Sequence, residues 1–239
     1  MQRADIVANA DTTQFIKEFK EGKSKSDKKK RKQDWLAALL LWPTYTDAMR
    51  AALAPLLYTL IVETGQDAIQ QVGLEPSQFD QTSLDVLNYA QERGLKIATD
   101  VNAETEKQVR ASLGQGIDNN ENDDQLRARI EVVMGAALTY RADRIARTET
   151  TRALGFADVT AWKQAGNVSG KEWYVQSRNP CAFCTQLDGV IVSLDDNYYT
   201  LGDVVEADGK KLSINYENVP APPVHVNCQC VLLPVLISA

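Results

Sequence analysis

Histidine is almost missing from this chain: His225 is the only one among 239 residues, and there are four cysteines. With one histidine, itself placed among cysteines, Ser/His and Cys/His nucleophilic catalysis lack their usual base. The chain has no Gly-x-x-x-x-Gly-Lys phosphate loop, and Gly114-Gln115-Gly116 has no third glycine at the dinucleotide spacing. Long apolar runs are absent too. The richest, Leu56-Leu57-Tyr58-Thr59-Leu60-Ile61-Val62, falls far short of the roughly 20 residues that cross a bilayer, so no membrane partner is expected. No signal-peptide pattern is evident, and a reducing compartment, where stable disulfides are rare, is the expectation.

The scarce residues are gathered. Cys181-Ala182-Phe183-Cys184 is followed about forty residues later by Pro222-Pro223-Val224-His225-Val226-Asn227-Cys228-Gln229-Cys230. Zinc takes four thiolate or imidazole ligands in a tetrahedron. A Cys-x-x-Cys bend supplies two, and a distant His/Cys cluster supplies the rest. Five residues compete for four places, and which of His225, Cys228 and Cys230 is left over stays open. The competing reading is a pair of local disulfides or a set of buried thiols.

Two catalytic readings fail on the residues. Pro180-Cys181-Ala182-Phe183-Cys184 matches half of a zinc deaminase site, but no upstream His-x-Glu exists to complete it. A thioredoxin-like role needs the Cys-x-x-Cys at a helix N-terminus within a βαβ unit. Here Ser177-Arg178-Asn179-Pro180 precedes it and Leu187-Asp188-Gly189-Val190-Ile191-Val192 follows, which predicts a turn and a strand.

The formal charge of −6 is unevenly spread. Lys23, Lys25, Lys28, Lys29, Lys30, Arg31 and Lys32 surround one acid, Asp27, giving a local +6 and leaving −12 for the remainder. Such a run is either a solvated linker or an electrostatic arm for nucleic acid or an acidic surface. No aromatic interrupts it, so DNA contact there would be to phosphates, without base stacking.

Periodicity predicts a largely helical body. Phe15-Ile16-Lys17-Glu18-Phe19 suits a short amphipathic docking helix. A Leu/Ala-rich helical region runs from Asp34, an N-cap, to about Val72, interrupted at Trp42-Pro43, with a restart at Thr44 or Thr46 and a kink or second start at Pro55. A further helix is expected from Ser83 to Leu113, then a polar loop from Gly114. Asp123 or Asp124 caps a helix to about Met134, and another runs from Ala137 to Ala165, stopping at Gly166. Short strands are expected at 172–175, 189–192 and 231–233. The fold class is therefore mainly α with a small C-terminal α+β module: a long-helix body followed by a zinc-clamped domain of short strands.

Within the last long helix, Leu138, Ala142, Ile145, Ala153 and Phe156 define an apolar stripe with Glu149 near its centre. A carboxylate there needs a cation, and Arg152 at i+3 is the expected partner. Arg147, Glu149 and Arg152 thus read as a structural polar network joining the helix to the clamp. The functional alternative is a phosphate or nicotinamide site built from Arg147 and Glu149.

Together the motifs Ala146-Arg147-Thr148-Glu149-Thr150, Lys171-x-Trp173, Cys181-x-x-Cys184-x-x-Leu187-x-Gly189 and Pro222-Pro223-x-His225-x-Asn227-Cys228-x-Cys230 resemble the head-morphogenesis family of tailed bacteriophages, minor head proteins of the phage Mu F and SPP1 gene product 7 kind. The resemblance covers about residues 137 to 234. Val226 and Gln229 stand where the family commonly has Pro and Arg, so any role of that arginine is not carried over. Charge and periodicity set off an N-terminal docking segment and basic arm (1–32) and a helical body (33–136), and the resemblance implies a Mu F-like domain (137–239). It further implies a non-enzymatic virion protein, assembled in the host bacterial cytoplasm and placed in few copies in the head interior or at the portal vertex. Its implied partners are the portal protein, capsid or scaffolding protein and packaged DNA, with roles in head assembly, DNA packaging or DNA delivery. The alternatives are an ADP-ribosyltransferase-like or zinc-dependent enzyme module, or a sequence-independent DNA-binding virion protein.

Overall fold

The computed structural model describes residues 42–119, 121–137 and 140–237. The docking segment at Phe15–Phe19, the basic arm, Asp34 and Leu138 lie outside them. Among the described residues no helix is long and apolar enough to cross a membrane.

Four long helices come first: α1 (Trp42–Gln71), α2 (Leu84–Asp118), α3 (Asp123–Ala137) and α4 (Tyr140–Ala165). A small α+β region follows, with β1 (Val168–Tyr174), the short helix α5 (Ala182–Leu187), β2 (Ile191–Ser193), β3 (Val204–Ala207), β4 (Lys210–Ser213) and β5 (Val231–Leu236). The fold is mainly helical with a C-terminal strand-containing module. Two compact units divide the described residues: 42–52 with those of 93–142, and 53–92 with those of 143–237. The second unit thus draws helical residues from well before position 137 into the same body as the strands.

In α1, Ala54, Leu57, Ile61, Gly65 and Ala68 are buried at spacings of three and four, the mark of one inward face. The helix is continuous through Pro55, so the expected second start there is not found. It ends in a Schellman motif: Gly73 sits at φ +82°, its N–H donates to Gln70, and the Leu74 N–H donates to Ile69. Phe79 then folds back onto Gly65, where a Cβ would lie 2.4 Å from the ring.

Helix α2 buries Val86, Ala90, Ile97, Ala98, Val109 and Leu113 along one stripe. It does not stop at Gly114 but continues to Asp118. Gly116 is not a breaker: a Cβ there would meet Leu126 at 2.6 Å and the Glu121 carboxylate at 2.7 Å, so glycine lets the next segment close over the helix. Helix α3 is capped by Asn122 rather than Asp123 or Asp124. The Gln125 N–H donates to the Asn122 side chain and the Gln125 side chain accepts from the Asn122 N–H, a reciprocal capping box.

Helix α4 ends at Gly166, at φ +68°. Its buried residues are Thr148, Ala153, Gly155, Ala157, Thr160, Ala161 and Trp162. Ala142, expected on the apolar stripe, is exposed, and Ile145 and Phe156 are only partly covered. The inward face therefore lies around 153–161 rather than at the helix start. Phe156 stacks on Tyr89 with centroids 3.7 Å apart.

The sheet is antiparallel in the order β2-β1-β5. Trp173 on β1 is fully buried beside Leu232 of β5. Strands β3 and β4 form a separate hairpin that turns at Asp208-Gly209, both at positive φ. An Asp-Gly pair between strand-forming residues is the sequence signal for that turn.

Candidate metal centre

The Cys-x-x-Cys bend sits at the start of α5. Cys181 is the N-cap and its sulfur accepts the Cys184 N–H at 3.4 Å. The expected turn and strand is thus corrected to a short helix, followed by the strand β2. The flanking strands β1 and β2 are antiparallel, so the helix is not the crossover of a parallel βαβ unit.

The second cluster lies in the loop before β5, and the fold brings it to the first. The His225 Nε2 is 2.9 Å from the Cys181 sulfur and 3.1 Å from that of Cys184, and the Cys184 and Cys228 sulfurs are 3.7 Å apart. No cysteine is in a disulfide. The donors form two triads that share Cys184: Cys181, Cys184 and His225 on one side, and Cys184, Cys228 and Cys230 on the other.

This donor set fits a zinc ion. Zinc–sulfur bonds of about 2.3 Å in a tetrahedron place sulfurs roughly 3.8 Å apart, which the Cys184–Cys228 pair matches. The two sulfur–nitrogen distances are a few tenths of an ångström shorter than the tetrahedral edge, and Cys228 does not lie within 4.8 Å of both Cys181 and His225, so a full quartet requires the His225 ring to draw back and the two triads to close on each other. The ring is already oriented for ligation. Its Nδ1 lies 2.9 Å from the Val226 carbonyl oxygen, and donating there leaves Nε2 with its lone pair toward the sulfurs.

The thiols share protons unequally. Hydrogen bonds from Cys184 and Cys230 hold Cys228 down at about 2, while hydrogen bonding to Cys228 and Cys230, together with burial, pushes Cys184 up. Cys230 is pushed up to about 12: Cys184 draws it down, but the Cys228 thiolate and burial outweigh this. The Trp173 indole N–H, buried without a formed hydrogen bond, lies close enough to favour a Cys230 thiolate.

Helix α4 clasps the second cluster with two threonines that the sequence reading did not assign. The Asn227 N–H donates to Thr148 Oγ1 at 3.2 Å, with Asn227 at φ +62°. The one Thr151 hydroxyl proton is shared between the Arg147 carbonyl at 3.0 Å and the Cys228 carbonyl at 3.3 Å. Their spacing of three places both on one helical face, the signal that could have found them. Gly155 continues that face. A Cβ there would meet Ala221 at 2.7 Å and the Pro222 carbonyl at 3.2 Å, so its lack of a side chain lets the loop lie against the helix.

Arg152 lies 3.7 Å from Glu149 and forms an ion pair with Glu217, linking α4 to the loop that leads to the second cluster. Beside it, Tyr216 donates to the Val224 carbonyl at 2.5 Å. Arg147 is exposed and takes no part in this group. Lys23 to Lys32 lie outside the described residues.

All of these elements fall within one region of sequence similarity. A family model described as Phage Mu protein F like protein matches residues 107–233, more than half of the chain. Comparison with curated proteins and with solved structures finds no match.

Proposed function

Because this chain belongs to the phage Mu protein F like family of bacteriophage head-morphogenesis proteins, we propose that it is a non-catalytic minor head protein acting at the portal vertex. One observation carries the non-catalytic reading: the only histidine lies within 3.1 Å of two thiols, committed to a donor cluster rather than poised as a free base. In this reading zinc organises the C-terminal module, so that the 181–184 helix start and the 225–230 loop form one rigid surface.

The ligands we assign are Cys181, Cys184, His225 and Cys228. Cys230 is taken as the outer thiol, because the Cys228 sulfur stands at 3.7 Å from that of Cys184, the tetrahedral edge. A closed set of four protein ligands leaves no position for an activated water and argues against a zinc hydrolase. The exposed Arg147, apart from Glu149 and Arg152, weighs against the transferase reading.

The expected partners are the portal protein, capsid or scaffolding protein, and packaged DNA through the arm at 23–32. Co-purification of the tagged protein with portal oligomers, and its detection in mature particles, test the reading. A protein found in neither would overturn it. Deleting 23–32 should lower DNA affinity and the steepness of its salt dependence, and an unchanged slope would leave the arm a linker.

A further inference from the structure

A cleft that borders the donor cluster at Cys230 opens between α4 and β5. It has a volume of about 360 Å³, at the small end of the usual range for ligand pockets, and its lining includes Leu154, Asp158, Gln176, Pro222, Gln229 and Val231. Asp158 is its only ionisable oxygen group. None of the hydrogen bonds or ion pairs among the described residues involves its carboxyl, although the residue is mostly covered. A carboxylate set in apolar walls without a partner is costly, and a cation that enters the cleft removes that cost.

We propose that this cleft binds an alkylammonium or guanidinium group, with Asp158 as the counter-ion. Leu154, Pro222 and Val231 supply apolar surface for the methylene stem, and the carbonyl oxygens of Gln176 and Gln229 are available to the N–H donors that Asp158 does not take. An anion is excluded by the carboxylate. A wholly apolar ligand would leave it buried and unpaired. Burial raises the Asp158 carboxyl to about 7, so near neutral pH a cation would also draw off its remaining proton. The inference does not depend on the portal assignment.

The same chemistry is presented by a lysine or arginine side chain of a partner protein and by a free polyamine. The test is a titration of the full-length ¹⁵N-labelled, zinc-loaded protein with n-butylamine, n-butylguanidine and neutral n-butanol, followed at the Gln176 and Gln229 side-chain amides. The two cations should shift these signals saturably and the alcohol should not. Asp158→Asn should weaken binding at least tenfold, and Gln229→Glu, at an exposed position, should strengthen it severalfold. Equal shifts from butanol, no shift from either cation, or binding unchanged in both variants would overturn the proposal. N-acetyl-arginine amide and putrescine then separate the sources: tighter binding of the blocked arginine points to a partner side chain, and tighter binding of putrescine to a free polyamine.

Discussion

The sulfurs of Cys184 and Cys228 lie 3.7 Å apart although 44 residues separate them in the chain. Cys184 is also the member common to both donor triads, so its loss should damage the site most. Metal analysis of protein purified under reducing conditions should find one zinc per chain. Cys184→Ser and Cys228→Ser should lose it, and Cys230→Ser should keep it. Chelation should lower Tm by on the order of 10 °C, since structural zinc contributes directly to folding free energy. Zinc retained by Cys228→Ser and lost by Cys230→Ser would reverse the ligand assignment.

The clasp from α4 should be measurable independently. Thr148→Val and Thr151→Val each remove one hydrogen bond to the 227–228 turn and should cost about 1 kcal/mol in urea unfolding. The double variant should bind zinc roughly 10- to 100-fold more weakly in a competition assay, as expected when a supporting shell is lost. Unchanged affinity would mean that the turn is held by other contacts.

Gly155→Ala sets two effects against each other. Alanine gains about 1 kcal/mol of helix propensity, whereas the Cβ at 2.7 Å from Ala221 forces the loop away at about 1 to 3 kcal/mol. The contact should win, because the Pro222 carbonyl beside it is backbone and cannot rotate aside. Gly135→Ala, whose Cβ meets nothing within 4 Å, should instead stabilise α3 by up to about 1 kcal/mol. Equal Tm changes in the two variants would contradict the close approach at Gly155.

Asp158 gives a pH dependence of definite sign. Its carboxyl is raised from 3.8 to about 7 by burial, so between those values the folded chain binds more protons than the unfolded one. Its contribution to stability is therefore present at low pH and is lost as pH rises through this window. Asp158→Asn should be more stable than the parent at pH 8 by about 1 to 3 kcal/mol and should differ little near pH 4. A difference that does not change between pH 4 and pH 8 would refute the assignment.

Particular residues show how far the sequence could be read. The buried positions of α1 and α2 follow the spacing of Leu, Ile, Val and Ala, and the stop at Gly166 follows from glycine's tolerance of positive φ. Gly114 and Gly116 misled because the same residue type serves both as a breaker and as a place of close approach. Only the position of Leu126 and Glu121 decides between these roles. The Cys-x-x-Cys helix was missed because six residues carry too little periodicity to outweigh the turn-forming residues around them.

By itself the sequence determined the chemistry at hand: five soft donors in two groups, a helical body, and membership of a phage head family. Those properties depend on residue type and local spacing. The tertiary structure decided which donors meet at Cys184, that Thr148 and Thr151 clasp the loop, that Arg147 stays outside, and that Asp158 faces a cleft without a partner. Such relations join residues about 40 to 80 positions apart, and they depend on how the chain packs across the helix face rather than on what stands next to each residue.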